Sequence, residues 1–169
     1  MIKKTLFFST FYTLLFYTTL FAQDISGFWK SMNDKTGKPA CIVAVYEYQD
    51  KHYGRIIGIF DEDGNIHDSI YTPKERAPGV KDNPFYCGLD IIWNLRNKGV
   101  RNKGKILDPE KGKIYDAEVW VKQGNLIVRG EFLFFGRSVV WLPALDNDFP
   151  SDFKKPDVNT FIPQIPKVK

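Results

Sequence analysis

Ile114-Tyr115-Asp116-Ala117-Glu118-Val119-Trp120-Val121-Lys122, Gln123-Gly124, Asn125-Leu126-Ile127-Val128-Arg129-Gly130-Glu131-Phe132-Leu133-Phe134-Phe135 is the stretch that decides the fold. Two runs rich in β-branched and aromatic residues flank a two-residue turn ending in glycine, which is a hairpin signature. The turn sets the register. Val119 faces Val128, Ala117 faces Gly130 and Tyr115 faces Phe132 on the side predicted to point inward. On the outer side Glu118 faces Arg129, a cross-strand ion pair of a kind that contributes a few tenths to about 1 kcal/mol.

Working outward, residues 25–142 read as short strands and tight turns with no convincing helical period. Strands are predicted over 25–32, 41–48, 51–60, 88–95, 104–107, 114–122, 125–135 and 138–142, with Gly136-Arg137 as the last turn. A turn at Gln49-Asp50 places Val45 opposite Gly54, Val43 opposite Ile56 and Cys41 opposite Gly58 on a small, apolar inner face. The other face carries Tyr46 opposite Tyr53 and Ala44 opposite Arg55. Eight such strands close a small barrel whose interior holds side chains or one small ligand. The fold class is therefore all-β, a single eight-stranded antiparallel barrel. Residues 61–85 form a long charged connection with three prolines, of the length that makes a lid or binding loop. Prolines at 143, 150, 156, 163 and 166 preclude a regular element after the last strand. The extension 143–169 either packs along the outside or stays disordered.

The chain opens with Met1-Ile2-Lys3-Lys4, an apolar and hydroxyl-rich run over 5–21, then Ala22-Gln23. A short basic region, an apolar core and a small residue before a polar start make a secretory signal. Cleavage is predicted after Ala22, leaving a barrel domain over 23–142 and the Pro-rich extension, in the periplasm or outside the cell. An uncleaved membrane anchor is the alternative reading of the same run. The formal charge of +4 includes two leader lysines, and the other charges are interspersed, so nucleic acid is excluded as a partner class. In an oxidising compartment Cys41 and Cys87 can form one disulfide, or remain two small buried thiols. Spacing leaves both readings open.

An ordered set of short motifs carries a family resemblance. These are Gly27-Phe28-Trp29-Lys30, Asp34-Lys35-Thr36-Gly37-Lys38-Pro39, Tyr53-Gly54 with Ile56, and Gly88-Leu89-Asp90-Ile91-Ile92-Trp93. Gly104-Lys105-Ile106-Leu107-Asp108-Pro109, Gly112-Lys113 with Tyr115, Val128-Arg129-Gly130, and Gly136-Arg137 with Trp141 follow in the same order. Together they resemble the bacterial exported family known as domain of unknown function 2147. The resemblance implies a lipocalin-like (calycin) barrel with no established activity. Gly27-x-Trp29 is also similar to the lipocalin opening motif, whose tryptophan plugs the closed end of the barrel. Members tend to place an arginine soon after the last tryptophan, whereas this chain has Trp141-Leu142-Pro143. Relatives often carry a C-x-x-C pair in the long loop. Residues 61–85 contain no cysteine, so no metal or redox role carries over.

The chemistry-bearing residues are few. His52 is predicted opposite Glu47 near a turn, as a solvated pair. His67 adjoins Asp68 and Ser69, and a Ser-His-Asp set at consecutive positions cannot converge as a triad needs. Asp61-Glu62-Asp63-Gly64-Asn65 departs from the calcium-loop pattern, with glycine fourth and Thr72 at position twelve. No catalytic residue, cofactor or metal is therefore expected. Arg55, Arg129 and Arg137 are candidates for an acidic head group, with Arg137 the strongest because Arg129 already faces Glu118. Trp29, Trp93, Phe132 and Phe134 either line a cavity or fill a packed core. The basic turn Arg96, Lys98, Arg101, Lys103, Lys105 is a hairpin tip that can touch anionic lipid head groups, at about 1 kcal/mol per residue. The expected function is non-enzymatic binding of a small apolar or amphipathic ligand, through Trp29, Trp93, Phe132, Phe134 and Arg137, with 61–85 as lid. The alternative is an envelope structural or protein-interaction module with a packed barrel. Its contact would be made by the extension or by an exposed aromatic patch near Tyr46, Tyr53 and Trp120.

Overall fold

Alternating apolar residues and glycine-bearing turns give nine antiparallel strands among the described residues: β1 Gly27–Met32, β2 Pro39–Tyr48, β3 Lys51–Phe60, β4 Ile66–Ser69, β5 Asp90–Asn97, β6 Asn102–Asp108, β7 Lys113–Lys122, β8 Asn125–Phe132 and β9 Phe135–Pro143. The computed structural model describes residues 23–33, 35–132 and 135–169, with the backbone alone for Phe132 and Phe135. The expected leader and Phe134 lie outside the described residues, and so does the side chain of Phe132.

Eight strands form a closed ring in the order β1, β2, β3, β5, β6, β7, β8, β9. Trp29 opposite Pro143 and Lys30 opposite Leu142 close it between β1 and β9. The short β4 pairs with the end of β3, outside the ring. Strand directions alternate, so the connections divide between two ends. The lower end carries the turns at 49–50, 98–101 and 123–124. The upper end carries the β1–β2 connection, the turn at 109–112 and the long connection between β3 and β5.

The hairpin registers hold where the turns dictate them. Val45 faces Gly54, Val43 faces Ile56 and Tyr46 faces Tyr53. Val119 faces Val128 and Ala117 faces Gly130. Three expectations are corrected. Cys41 faces Ile59 rather than Gly58, because a bulge at Ile42/Val43 adds one residue to β3. Gly136 and Arg137 belong to β9 and not to a turn, since Gly130 pairs with Arg137 and Glu131 with Gly136. Within the expected loop 61–85, residues 66–69 form a strand against Gly58–Phe60.

The lower interior is filled by large side chains. Trp29, Leu95, Val119, Leu126 and Trp141 are buried there. The Trp29 indole N–H donates to the Ile25 carbonyl at 2.9 Å, so its one polar group is satisfied. Trp93 is buried in the same cluster. At its bulge β5 presses on β6. Asn94 has φ 54, and a Cβ on Gly104 would lie 2.6 Å from the Trp93 carbonyl oxygen and 2.8 Å from the Leu95 nitrogen. Only glycine fits at 104.

The outer wall of β2 and β3 is apolar too, and the extension covers it. Ile42, Ala44 and Ile57 are fully buried in a cluster with Phe60 and Phe149. Phe149 meets Phe28 edge-on at 6.0 Å, and Phe153 at 5.2 Å. The extension has only two single 3₁₀ turns, Asp146–Asp148 and Val158–Thr160. Tyr46 and Tyr53, expected in an exposed patch, are 1% and 5% exposed. Trp120 is half-buried under the Arg101 guanidinium, 4.3 Å from its ring. The aromatic patch is therefore not a free surface: burying such rings is favourable, and the chain does it internally.

Both cysteines are free thiols. Cys41 Sγ lies 3.1 Å from Ser31 Oγ. Burial, and then the charge of Asp68, push the Cys87 thiol far above its ordinary range. A neutral buried thiol is a poor nucleophile. In the native protein, 5,5′-dithiobis(2-nitrobenzoate) should therefore react slowly, with two thiols titrating after denaturation without reductant. A count of zero would show the Cys41–Cys87 disulfide instead. Gly104→Ala should lower stability by about 1–3 kcal/mol in urea melts, the cost of overpacking. Gly130→Ala should change it little, because its Cβ would meet nothing nearer than 3.7 Å.

Candidate functional site

The inner face of the upper barrel is made of small residues where the lower is made of large ones. Gly104 pairs with Ala117, Ala117 with Gly130, and Gly130 with Arg137. This row crosses four adjacent strands with scarcely any side-chain volume before it reaches the arginine. Above it Ile106 pairs with Tyr115. Beside Gly130 opens a cavity of about 420 Å³, lined by Ile106, Leu107, Val128 and Val139, with Tyr115, Arg137, Lys111 and Asp108 as its polar groups. That volume is within the usual range for small-molecule sites, which are mostly apolar with a few placed polar groups.

The polar groups gather at the mouth. Lys111 sits on the turn between β6 and β7, 3.2 Å from Asp108, whose hydrogen bond and charge hold the ammonium in its charged form. Arg137 is exposed on β9. Arg137, Lys111 and Asp108 thus stand above an apolar floor.

Of the residues expected to bind a ligand, Arg137 lines this cavity. Trp29 and Trp93 lie in the packed core, and the side chains of Phe132 and Phe134 are outside the described residues. Sequence reasoning missed Ile106, Leu107, Val128 and Val139. The signal available for them was the Ala117–Gly130 pair, whose small size marks a hollow rather than a filled layer. Among the described residues, none lining the cavity comes from 61–85. That connection packs instead on the turn between β6 and β7: Gly79 donates to the Pro109 carbonyl at 3.0 Å, and Ala77 and Val80 are buried.

The remaining candidates have other partners. Glu118 takes Arg101 and Lys103 rather than Arg129, while Arg129 binds Glu131 at 2.7 Å. Hydrogen bonds from Lys103 and Arg101 hold the Glu118 carboxyl below its ordinary range. Lys105 pairs with Asp116 at 2.7 Å, so three of the five cations of the basic turn are matched to acids. His52 lies 3.7 Å from Asp24, and His67 Nε2 lies 2.6 Å from Glu75. Asp68 accepts from the Lys74 and Glu75 amides, and Ser69 Oγ contacts Thr72. His67, Asp68 and Ser69 thus engage different groups.

Arg55, a candidate for a ligand head group, is instead committed to Asp90 on the outer wall. Its Nε and Nη2 donate to the buried Asp90 carboxylate at 3.0 and 2.7 Å. The Tyr46 hydroxyl donates to the same carboxylate at 2.9 Å. Burial and the neighbouring Asp90 charge push the Tyr46 phenol well above its ordinary range.

Known proteins place this geometry. No curated protein matches the chain. The structure of protein HP1028 from the human pathogen Helicobacter pylori, described as belonging to the lipocalin family, matches with a TM-score of 0.59. The identity is 19%, over 74% of this chain and 86% of that one, a likeness of fold alone. Residues 27–142, the whole strand-bearing part apart from its last residue, match the family described as uncharacterized protein conserved in bacteria, DUF2147, and the chain belongs to that family.

Proposed function

We propose that this protein is an exported, non-enzymatic carrier of a small apolar or amphipathic molecule, held in the upper cavity of the barrel. The observation that carries the reading is the contrast within one interior. Large side chains fill the lower end, and about 420 Å³ stays open beside Gly130 at the upper end. An apolar body fits against Ile106, Val128 and Val139, and an anionic head meets Arg137 and Lys111 at the mouth. Burying each methylene of such a body contributes about 0.8 kcal/mol. One fold hosts many functions, so the cavity rather than the lipocalin-like fold carries the reading. Export rests on the composition of residues 1–22, and places the carrier in the periplasm or beyond. Membrane contact through Arg96, Lys98, Arg101, Lys103 and Lys105 is a lesser part of the reading, because Arg101, Lys103 and Lys105 are ion-paired with Glu118 and Asp116.

Native mass spectrometry of the purified protein with added dodecanoate tests the reading. One bound equivalent is expected. Gly130→Leu should fill the cavity and weaken binding by roughly tenfold or more while the barrel stays folded, since about 1.4 kcal/mol corresponds to each factor of ten. Arg137→Gln should weaken dodecanoate and leave dodecanol unchanged. Dodecanoate binding that ignores Gly130→Leu would contradict the proposal.

A further inference from the structure

The extension does more than shield apolar surface. It is read, in part, through its main chain. Arg55 Nη2 donates to the Ile162 carbonyl at 2.8 Å, and the Gln164 amide donates to Asp90 Oδ2 at 2.7 Å. The side chain between the wall and these bonds is Phe161. Its ring lies 4.5 Å from the Arg55 guanidinium and meets the Tyr46 ring edge-on at 5.2 Å. The side chains of Ile162 and Ile165 are 66% and 51% exposed and contribute little to the docking. Further along, the extension adds to the edge of the long connection. Lys81 donates to the Lys167 carbonyl at 2.8 Å, Lys169 donates to the Gly79 carbonyl at 3.3 Å, and Val80 bridges Val168.

An ion pair that presents one donor and one acceptor to a passing backbone, beside a pocket for one aromatic ring, is a peptide-recognition arrangement. Edge addition of an extended strand is a general mode of the same kind. The reading groups Tyr46, Arg55 and Asp90 lie inside the span shared with the family, and the occupant lies beyond it. A groove of about 460 Å³ stays open between the connection and residues 164–167, so the extension does not fill the space beside it.

We infer that the outer wall of β2, β3 and β5 is a docking site for an extended Phe-x-Pro-x segment of another protein, which this chain's own Phe161-Ile162-Pro163-Gln164 occupies as an internal blocker. The aromatic ring enters beside Tyr46 and Arg55. The carbonyl of the next residue accepts from Arg55. The amide after the proline donates to Asp90. The proline needs no partner, having no N–H. A tethered blocker acts at an effective concentration of about millimolar, so an outside segment competes well only once the tether is loosened.

The test uses the full chain carrying Phe161→Asp, which removes the ring packed on Tyr46 and Arg55 and leaves the wall residues unchanged. A fluorescein-labelled peptide of residues 157–169 with the natural sequence is titrated by anisotropy. It should bind this variant at least roughly tenfold more tightly than the unaltered chain, given that effective concentration. N-methylation of the peptide at the residue matching Gln164 should abolish binding, because it removes the donor to Asp90. The milder Phe161→Ala chain serves if Phe161→Asp fails to fold. No binding by either folded variant would overturn the inference, as would equal binding of the N-methylated peptide. An unaltered chain that is dimeric in light scattering, and monomeric with Phe161→Asp, would also overturn it by assigning the wall to a second copy's extension.

Discussion

A closed ring of eight strands has an interior of nearly fixed width, so the volume of the side chains pointing inward decides where it is solid and where it is hollow. Everything else in this molecule follows from that constraint. Trp29, Leu126 and Trp141 occupy the lower end. Gly130 on β8, with no side chain, lines the opening at the upper end. Gly104 answers a different need, since the bulge in β5 forbids a side chain there for steric reasons.

The same chain must also manage an outer wall that is too apolar for water. Closure removes sheet edges, but it does not make the outside polar. Here the wall carries Ile42, Ala44 and Ile57, and the Pro-rich extension supplies the missing layer. The arrangement depends on Asp90. Its buried carboxylate accepts from Arg55, Tyr46 and the Gln164 amide, so its charge is paired and its lone pairs are used. Removing one partner of such a buried pair typically costs about 3–5 kcal/mol, because the other charge is left uncompensated. The interior and the outer wall are thereby joined: β5 contributes Ile92 to the core and Asp90 to the anchor of the extension.

Much of the fold was legible because hairpin turns fix register locally. Gln49-Asp50 and Gln123-Gly124 set two pairings that the structure reproduces near the turns. Register failed at Cys41, where a bulge intervenes far from the turn and no residue in the sequence marks it. It also failed at Gly136-Arg137, where a glycine read as a turn sits inside β9. Tyr46 and Tyr53 read as a surface patch because alternation tells the inside of a barrel from its outside, but not whether something covers the outside. The site was legible only at Arg137. Large aromatics drew attention as cavity lining, yet large residues are what fill a barrel; the cavity is announced by small ones. Asp90 was visible as an acid between Leu89 and Ile91, and an acid in an apolar strand requires a buried partner.

The most direct test of the carrier account is methyl NMR of the protein as dodecanoate is added. The account predicts that the methyls of Ile106, Leu107, Val128 and Val139 shift together and saturate at one equivalent, while Val43 and Leu126 stay fixed. Shifts confined to Ile42, Ile57 and Val158 on the outer wall, or no shifts at all, would contradict it.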